Sequence, residues 1–333
     1  MRIIVMGTGG FAVPTLERLL SSRHDVVAVV TMPLRNARGS KSVPTPVRAA
    51  ALDAGLTLFD PENVNDPAFL PTLQNTNADL LFVCDYGKIL APHVIASAKH
   101  GGINLHGSLL PKYRGAAPIN RALLNGEPTV GVSVIHITPE LDAGPVVAMS
   151  EPLPVQPDDT AVEIETKLAQ IGSDLVMAVL DQFEAGTLAP IPQRPELVCN
   201  APKLKKHEGA IDWRRSAREI VWQYQAMQPW PKIFTDWQPQ KTGGQDETSS
   251  RKPMRLILGR VQRVADDSAL DLSLILPDAT MPGTVVEASN GRIIVATGSG
   301  LLQIFELQPA GKKMMPANDF LRGYPLQSDD HFV

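Results

Sequence analysis

Arg2-Ile3-Ile4-Val5-Met6-Gly7 is a near-continuous apolar run, and Gly7-Thr8-Gly9-Gly10-Phe11-Ala12 follows it at once. A strand buried on both faces reads this way in the middle of a parallel sheet. The glycines allow a tight strand-to-helix turn. Pro14 to Leu20 has helical spacing, and Asp25 to Thr31 (DVVAVVT) is a second apolar strand. Strand, glycine turn, helix, strand opens a doubly wound, Rossmann-like α/β domain. The turn also fits G-x-G-x-x-[GA], the dinucleotide fingerprint. That fingerprint needs an acidic residue at the end of the second strand to hold ribose hydroxyls. Thr31-Met32-Pro33 stands there instead, so no binding of NAD or NADP is expected.

Further along, Asp79 to Cys84 (DLLFVC) is another buried strand, running into Asp85-Tyr86-Gly87-Lys88-Ile89-Leu90. Gly102-Ile103-Asn104-Leu105-His106 is a short strand within the stretch His100 to Pro118. Alternate residues of a strand share a face, so Asn104 and His106 point the same way and Leu105 points the other. An amide can bind a developing oxyanion, and an imidazole can carry a proton near neutral pH. Taken alone, an Asn-x-His at a strand end is more often a hydrogen-bonding pair than a catalytic one. Thr129 to Ile137 alternates and is expected to be one strand, with another at Val146 to Met149. Leu141-Asp142-Ala143-Gly144-Pro145 lies between them and reads as a turn. Thr160 to Glu184 is expected to be a long helix, with Ile164, Leu168, Ile171, Leu175 and Val179 as its core stripe. Gly186 stops it.

The chain has 333 residues, 44% hydrophobic and 20% charged, with a net charge of −4. That length suits two domains. Pro190 to Pro195 (PIPQRP) is rich in proline and reads as an extended linker. Beyond a helix at Ala217 to Met227, short strands alternate with polar turns up to Leu307, the pattern of a small barrel. Pro239 to Pro253 is a polar insertion between strands. The expected division is a first domain at 1–189, a linker at 190–207 and a second domain at 208–333. Residues 202–333 hold 17 Lys and Arg against 15 Asp and Glu. Any nucleic-acid contact must therefore rest on local patches, not on bulk charge. Cys84 and Cys199 have no paired spacing, which argues against a disulfide framework or structural zinc. No secretory pattern or apolar run of about 18 residues occurs, so a cytoplasmic protein with no membrane contact is expected.

The run Asn104-Leu105-His106-Gly107-Ser108-Leu109-Leu110-Pro111, with Arg114-Gly115-Ala116-Ala117-Pro118, closely resembles the signature loop of the folate-dependent formyltransferases. Leu141-Asp142-Ala143-Gly144-Pro145 matches that family's Asp motif. The resemblance implies a catalytic trio of Asn104, His106 and Asp142. It implies a Rossmann-like formyltransferase domain followed by a smaller, mostly β, OB-like barrel. It also implies 10-formyltetrahydrofolate as co-substrate and no metal. The folate would lie against Tyr86, Gly87, Ile89, Leu90, Ser108, Leu109, Leu110 and Pro111. Pro33 to Val43 (PLRNARGSKSV) reads as a solvated loop, but resembles the insertion that the methionyl-tRNA branch of the family sets against the tRNA acceptor stem. Arg38-Gly39 aligns with that branch's Arg-Gly pair if one residue is deleted here, which leaves Arg35 as an alternative. Ile211-Asp212-Trp213, Pro229-Trp230-Pro231 and Leu307-Gln308-Pro309-Ala310-Gly311-Lys312-Lys313-Met314-Met315 also resemble that branch. Initiator methionyl-tRNA is thus the implied partner of a monomer. Arg38, Lys41, Lys203, Lys205, Lys206, Lys312 and Lys313 are its implied contacts. Three departures stand out. Gly9 replaces the family's usual Pro, Asp85 its usual Ala, and Gln228 its usual Asn.

Three other activities share these features: formylation of a sugar nucleotide, hydrolysis of formyl-folate, and tRNA binding on a degenerate scaffold. The intact Asn104, His106 and Asp142 set opposes the last. The Arg38 loop and Gly311-Lys312-Lys313 favour tRNA over the first two.

Overall fold

The fold comes from a computed structural model that describes residues 1–34, 43–238, 253–264 and 280–333. Arg35, Arg38, Lys41 and residues 239–252 of the expected insertion lie outside the described residues. The chain divides into two compact units. One holds Met1–Ala122, Glu127–Pro157 and Val162–Lys203, and the other Leu123–Gly126, Asp158–Ala161 and Leu204–Val333.

In the first unit the strands are β1 (Arg2–Gly7), β2 (Asp25–Val30), β3 (Leu58–Phe59), β4 (Leu80–Cys84), β5 (Gly102–His106), β6 (Thr129–Val130), β7 (Ser133–His136), β8 (Val146–Met149) and β9 (Leu153–Pro154). Seven of them form one sheet in the order β3-β2-β1-β4-β5-β7-β8. The doubly wound expectation holds through β5, where every pairing is parallel. β7 and β8 then join antiparallel, so the sheet is mixed. Strand order reverses between β1 and β4, the crevice at which open α/β sheets bind ligands.

The helices are α1 (Val13–Leu20), α2 (Pro46–Asp53), α3 (Leu70–Gln74), α4 (Pro92–Ile95), α5 (Pro118–Leu124) and α6 (Ala161–Ala185). Ile4, Met6, Val30, Leu81 and Val83 form one core with Leu73 of α3 and Val94 of α4. Leu105 points the opposite way, into α6. A Cβ at Gly172 would lie 2.7 Å from Leu105 Cδ2, so the helix meets β5 through a glycine.

Two sequence expectations change in detail. Thr129 to Ile137 is two strands, not one: β6 pairs with β9, and β7 pairs with β5 and β8. The break falls where Gly131 meets the Leu109 side chain and the Val132 N–H donates to Ser150 Oγ at 3.1 Å. The α6 stripe runs through Ile164, Leu168, Gly172, Val176, Val179 and Leu180, with Ile171 and Leu175 half-buried. Within this stripe Gly172 is the position that lies against Leu105.

In the second unit α7 (Ala217–Ala226) begins with a Ser216–Glu219 capping box. Two antiparallel sheets follow. One is ordered β17-β16-β11-β10-β18 and the other β12-β15-β14-β13. Their strands are β10 (Ile233–Gln238), β11 (Met254–Leu258), β12 (Val261–Arg263), β13 (Val285–Ser289), β14 (Arg292–Ala296), β15 (Leu301–Ile304), β16 (Glu306–Pro309), β17 (Met315–Pro316) and β18 (His331–Phe332). Leu301 to Pro309 passes from one sheet to the other with Phe305 at the corner, and a bridge from Thr284 to His331 joins them again. Trp237 packs against Phe320 of α8 (Ala317–Gly323) and donates its indole N–H to Asp330 at 3.2 Å.

Candidate active site

β5 lies inside the sheet, with Asn104 paired on both sides, to Val83 of β4 and to β7, and His106 paired to β7. Asn104 pairs with Ile135 and His106 with Ser133. The His106 ring is buried, and both of its nitrogens face oxygen. Nε2 lies 2.9 Å from the Tyr113 carbonyl, and Nδ1 lies 3.6 Å from Asp142 Oδ2. Nε2 therefore has a hydrogen-bond partner, and Nδ1 has a carboxylate nearby. At 3.6 Å the carboxylate acts by charge more than by a direct hydrogen bond. The Asn104 side chain is half-buried, and its amide has no hydrogen-bond partner among the described residues. An amide left open beside a positioned imidazole is what an oxyanion requires.

The supports of this trio come from distant parts of the chain. Asp142 takes a left-handed backbone (φ 49°), and its Oδ2 accepts the Gly115 N–H at 2.8 Å. Gln193 donates to the carbonyls of Asp142 and Gly144 at 2.7 and 2.8 Å, and accepts from Arg114 at 2.8 and 3.0 Å. Gly144 sits against the His136 carbonyl, where no side chain fits. Tyr113, also left-handed (φ 62°), aims its carbonyl at His106 while its hydroxyl donates to Glu127 at 2.8 Å. Ser133 is fully buried under the loop. It receives the Leu110 N–H at 3.0 Å and donates to the Ser108 carbonyl at 2.8 Å. Gln193, Tyr113 and Ser133 carry no motif signal, and their partners lie up to about eighty positions away. Sequence reading missed them for that reason. The segment expected to be a linker is extended, but Ile191 exchanges two 2.8 Å hydrogen bonds with Val146, so it also builds this site.

The expected folate positions divide by what they can offer. Tyr86 and Leu90 are core residues, packed with Val83 and Val94. Burial pushes the Tyr86 phenol up to about 12. Leu110 is buried with Ile135 and Val146, and the Ser108 hydroxyl is spent on the Lys112 carbonyl at 2.6 Å. These four can present only backbone to a ligand. Leu109 and Pro111 are half-buried, Gly87 is left-handed (φ 79°), and Ile89 is exposed. Backbone groups beside the apolar side chains of Ile89, Leu109 and Pro111 suit a flat heterocycle with its own donors and acceptors. Lys203, Lys205, Lys206, Lys312 and Lys313 are all exposed, and none forms an ion pair among the described residues. No described helix is long and apolar enough to cross a membrane.

The formyl transferase family profile matches residues 1–180, and the profile for the formyl transferase C-terminal domain matches residues 203–325. The chain belongs to the formyl transferase family. A methionyl-tRNA formyltransferase of Rhodopirellula baltica is 40% identical over 345 residues, covering 100% of this chain and 97% of that protein. One from Moorella thermoacetica is 38% identical over 328 residues, covering 98% and 97%. Among solved structures, HypX from Aquifex aeolicus, crystallised with tetrahydrofolic acid, superposes with a TM-score of 0.63. It is 16% identical and covers all of this chain but half of its own, so it supports the formyltransferase fold alone.

Proposed function

We propose that this formyltransferase moves the formyl group of 10-formyltetrahydrofolate to the amino group of methionyl-initiator tRNA. The observation that carries the chemistry is the open Asn104 amide beside a His106 ring bracketed by Tyr113 and Asp142. The full-length likeness to methionyl-tRNA formyltransferases supports the acceptor. In the reaction the methionyl amine attacks the formyl carbon, forming a new C–N bond and a tetrahedral oxyanion. Asn104 donates to that oxyanion, a contact worth roughly 3–4 kcal/mol of barrier. His106 carries the proton lost by the amine towards the folate nitrogen as the old C–N bond breaks. The leaving folate nitrogen then holds that proton. Asp142 keeps the imidazole oriented.

In this reading residues 1–189 carry the chemistry, 190–207 join the domains, and 208–333 bind tRNA. Backbone groups of Tyr86, Gly87, Leu90, Ser108 and Leu110 hold the folate, with Ile89, Leu109 and Pro111 against it. Arg38 and Lys41, with Lys203, Lys205, Lys206, Lys312 and Lys313, contact tRNA. The test supplies formyl-labelled 10-formyltetrahydrofolate with initiator methionyl-tRNA, an amino-sugar nucleotide, or buffer alone. Label on the methionyl amine is expected. Label on the sugar, or released as formate without tRNA, overturns the assignment.

A further inference from the structure

Gly9 and Asp85 lie far apart in the sequence, yet they meet in space. Gly9 belongs to the turn after β1, and Asp85 is the first residue beyond β4. These two strands flank the crevice where the sheet order reverses. The Gly9 backbone is extended, with φ −85° and ψ 178°. Any residue adopts that φ, and a proline ring nearly imposes it. Backbone conformation therefore gives no reason for glycine at position 9. Space does. A Cβ there would lie 2.9 Å from Asp85 Cγ and closer still to Oδ2. Gly10 beside it has open space around it, so the crowding is specific to position 9.

Asp85 is tied to the same turn in two ways. The Thr8 N–H donates to the Asp85 carbonyl at 3.1 Å, and the Asp85 carboxylate lies against Gly9 where a Cβ would stand. Asp85 itself takes a left-handed backbone, φ 49°, which costs energy for a residue other than glycine. Its carboxylate is reached by solvent, but the surrounding bulk of the domain pushes its pKa up and the Gly9 N–H opposes this. Glu165 of α6 is also raised, first by burial and then by the Asp85 charge. A second carboxyl nearby and the surrounding bulk both disfavour a charged carboxylate here, so something must hold it. The glycine turn does.

We propose that Asp85 is a positioning residue that occupies the anion-facing side of the glycine turn and clamps it to the loop Tyr86–Leu90, and that position 9 is glycine only to admit this carboxylate. In dinucleotide enzymes the N–H groups of such a turn receive a phosphate. Here the chain supplies its own anion, and an anionic ligand approaching the turn meets a like charge. The clamp would set the position of a loop that, on the function proposed above, holds the formyl donor.

The test is a mutant cycle with two readouts. Asp85→Ala is expected to raise KM for 10-formyltetrahydrofolate about 10-fold, leaving kcat and KM for methionyl-tRNA within about twofold. Asp85→Asn keeps the shape and an oxygen against Gly9 and should restore donor KM to within about twofold of wild type. Gly9→Pro removes the N–H and adds a ring, and Gly9→Ala adds only the Cβ. In the wild-type background each should raise donor KM and lower Tm by several degrees. In the Asp85→Ala background each should change neither, because the carboxylate they collide with is gone. Equal effects of the Gly9 changes in both backgrounds overturn the coupling. Unchanged donor KM in Asp85→Ala overturns the positioning role. The Tm cycle needs no substrate, so a wild type that fails to use the formyl donor would sink the proposed activity while the clamp is still decided.

Discussion

At the scale of single residues, the site is a short chain of oxygen and nitrogen contacts. His106 has an oxygen near each ring nitrogen, Asp142 has the Gly115 N–H, and the Asn104 side chain has no partner among the described residues. Asn104→Ala, His106→Ala and Asp142→Ala are each expected to lower kcat by about 100-fold or more with little change in stability. Near-normal turnover by the His106 variant in a formylation assay would remove it from the mechanism. Tyr86 gives a prediction of a different kind. An unfolded tyrosine ionises from about pH 10, whereas the buried phenol resists until about 12. Between those values the unfolded state gains and the folded state does not. Stability should therefore fall as pH rises from about 10 to 12, by at most roughly 2–3 kcal/mol. Urea denaturation across that range should show the slope in wild type and a flatter one in Tyr86→Phe.

At the scale of elements, β5 is the hinge between core and chemistry. Asn104 and His106 share one face of the strand, and Leu105 between them is seated against Gly172 of α6. Gly172→Val should cost about 1–3 kcal/mol through overpacking. The gain in helix propensity is only a few tenths of a kcal/mol and does not offset it. Because Leu105 shares its strand with both site residues, kcat should fall as well. Denaturant titration together with turnover checks this, and loss of stability at full kcat would show that the strand tip is insulated from its packing. Gln193→Ala should act in the same direction on the Asp142 loop alone, lowering kcat about 10-fold while Tm moves little.

At the scale of the whole molecule, the acceptor must be recognised by both charge and shape. The exposed lysines at 205, 206, 312 and 313 would meet phosphates, which carry no sequence information. Changing one to Ala should weaken all tRNAs alike and reduce the salt slope of binding by about 1. Arg38 should instead set discrimination. Arg38→Ala should lower kcat/KM strongly for initiator tRNA and little for tRNAs that are already poor substrates. Formylation of initiator and elongator methionyl-tRNA at two salt concentrations separates the two behaviours, and equal losses would reduce Arg38 to another phosphate contact.

The sequence by itself determined the parallel core, the glycine turn and the pairing of Asn104 with His106 on one face. Each follows from local periodicity: two for a strand, 3.6 for a helix, and glycine where the chain must turn. It also carried the Asp142 motif, because a family likeness preserves residue types in order along the chain. Only the tertiary structure decided what long-range contacts decide. Thr129 to Ile137 breaks in two because Leu109, some twenty positions earlier, lies against Gly131. Leu105 is seated against Gly172 of α6, and the Asp142 loop is held by Gln193 from a segment that reads as a linker. Gly9 and Asp85, about 75 positions apart, read as two unrelated departures until the sheet sets β1 beside β4. Periodicity records which face of an element is buried, but not which residue it is buried against. That partner is fixed only when the strands and helices pack.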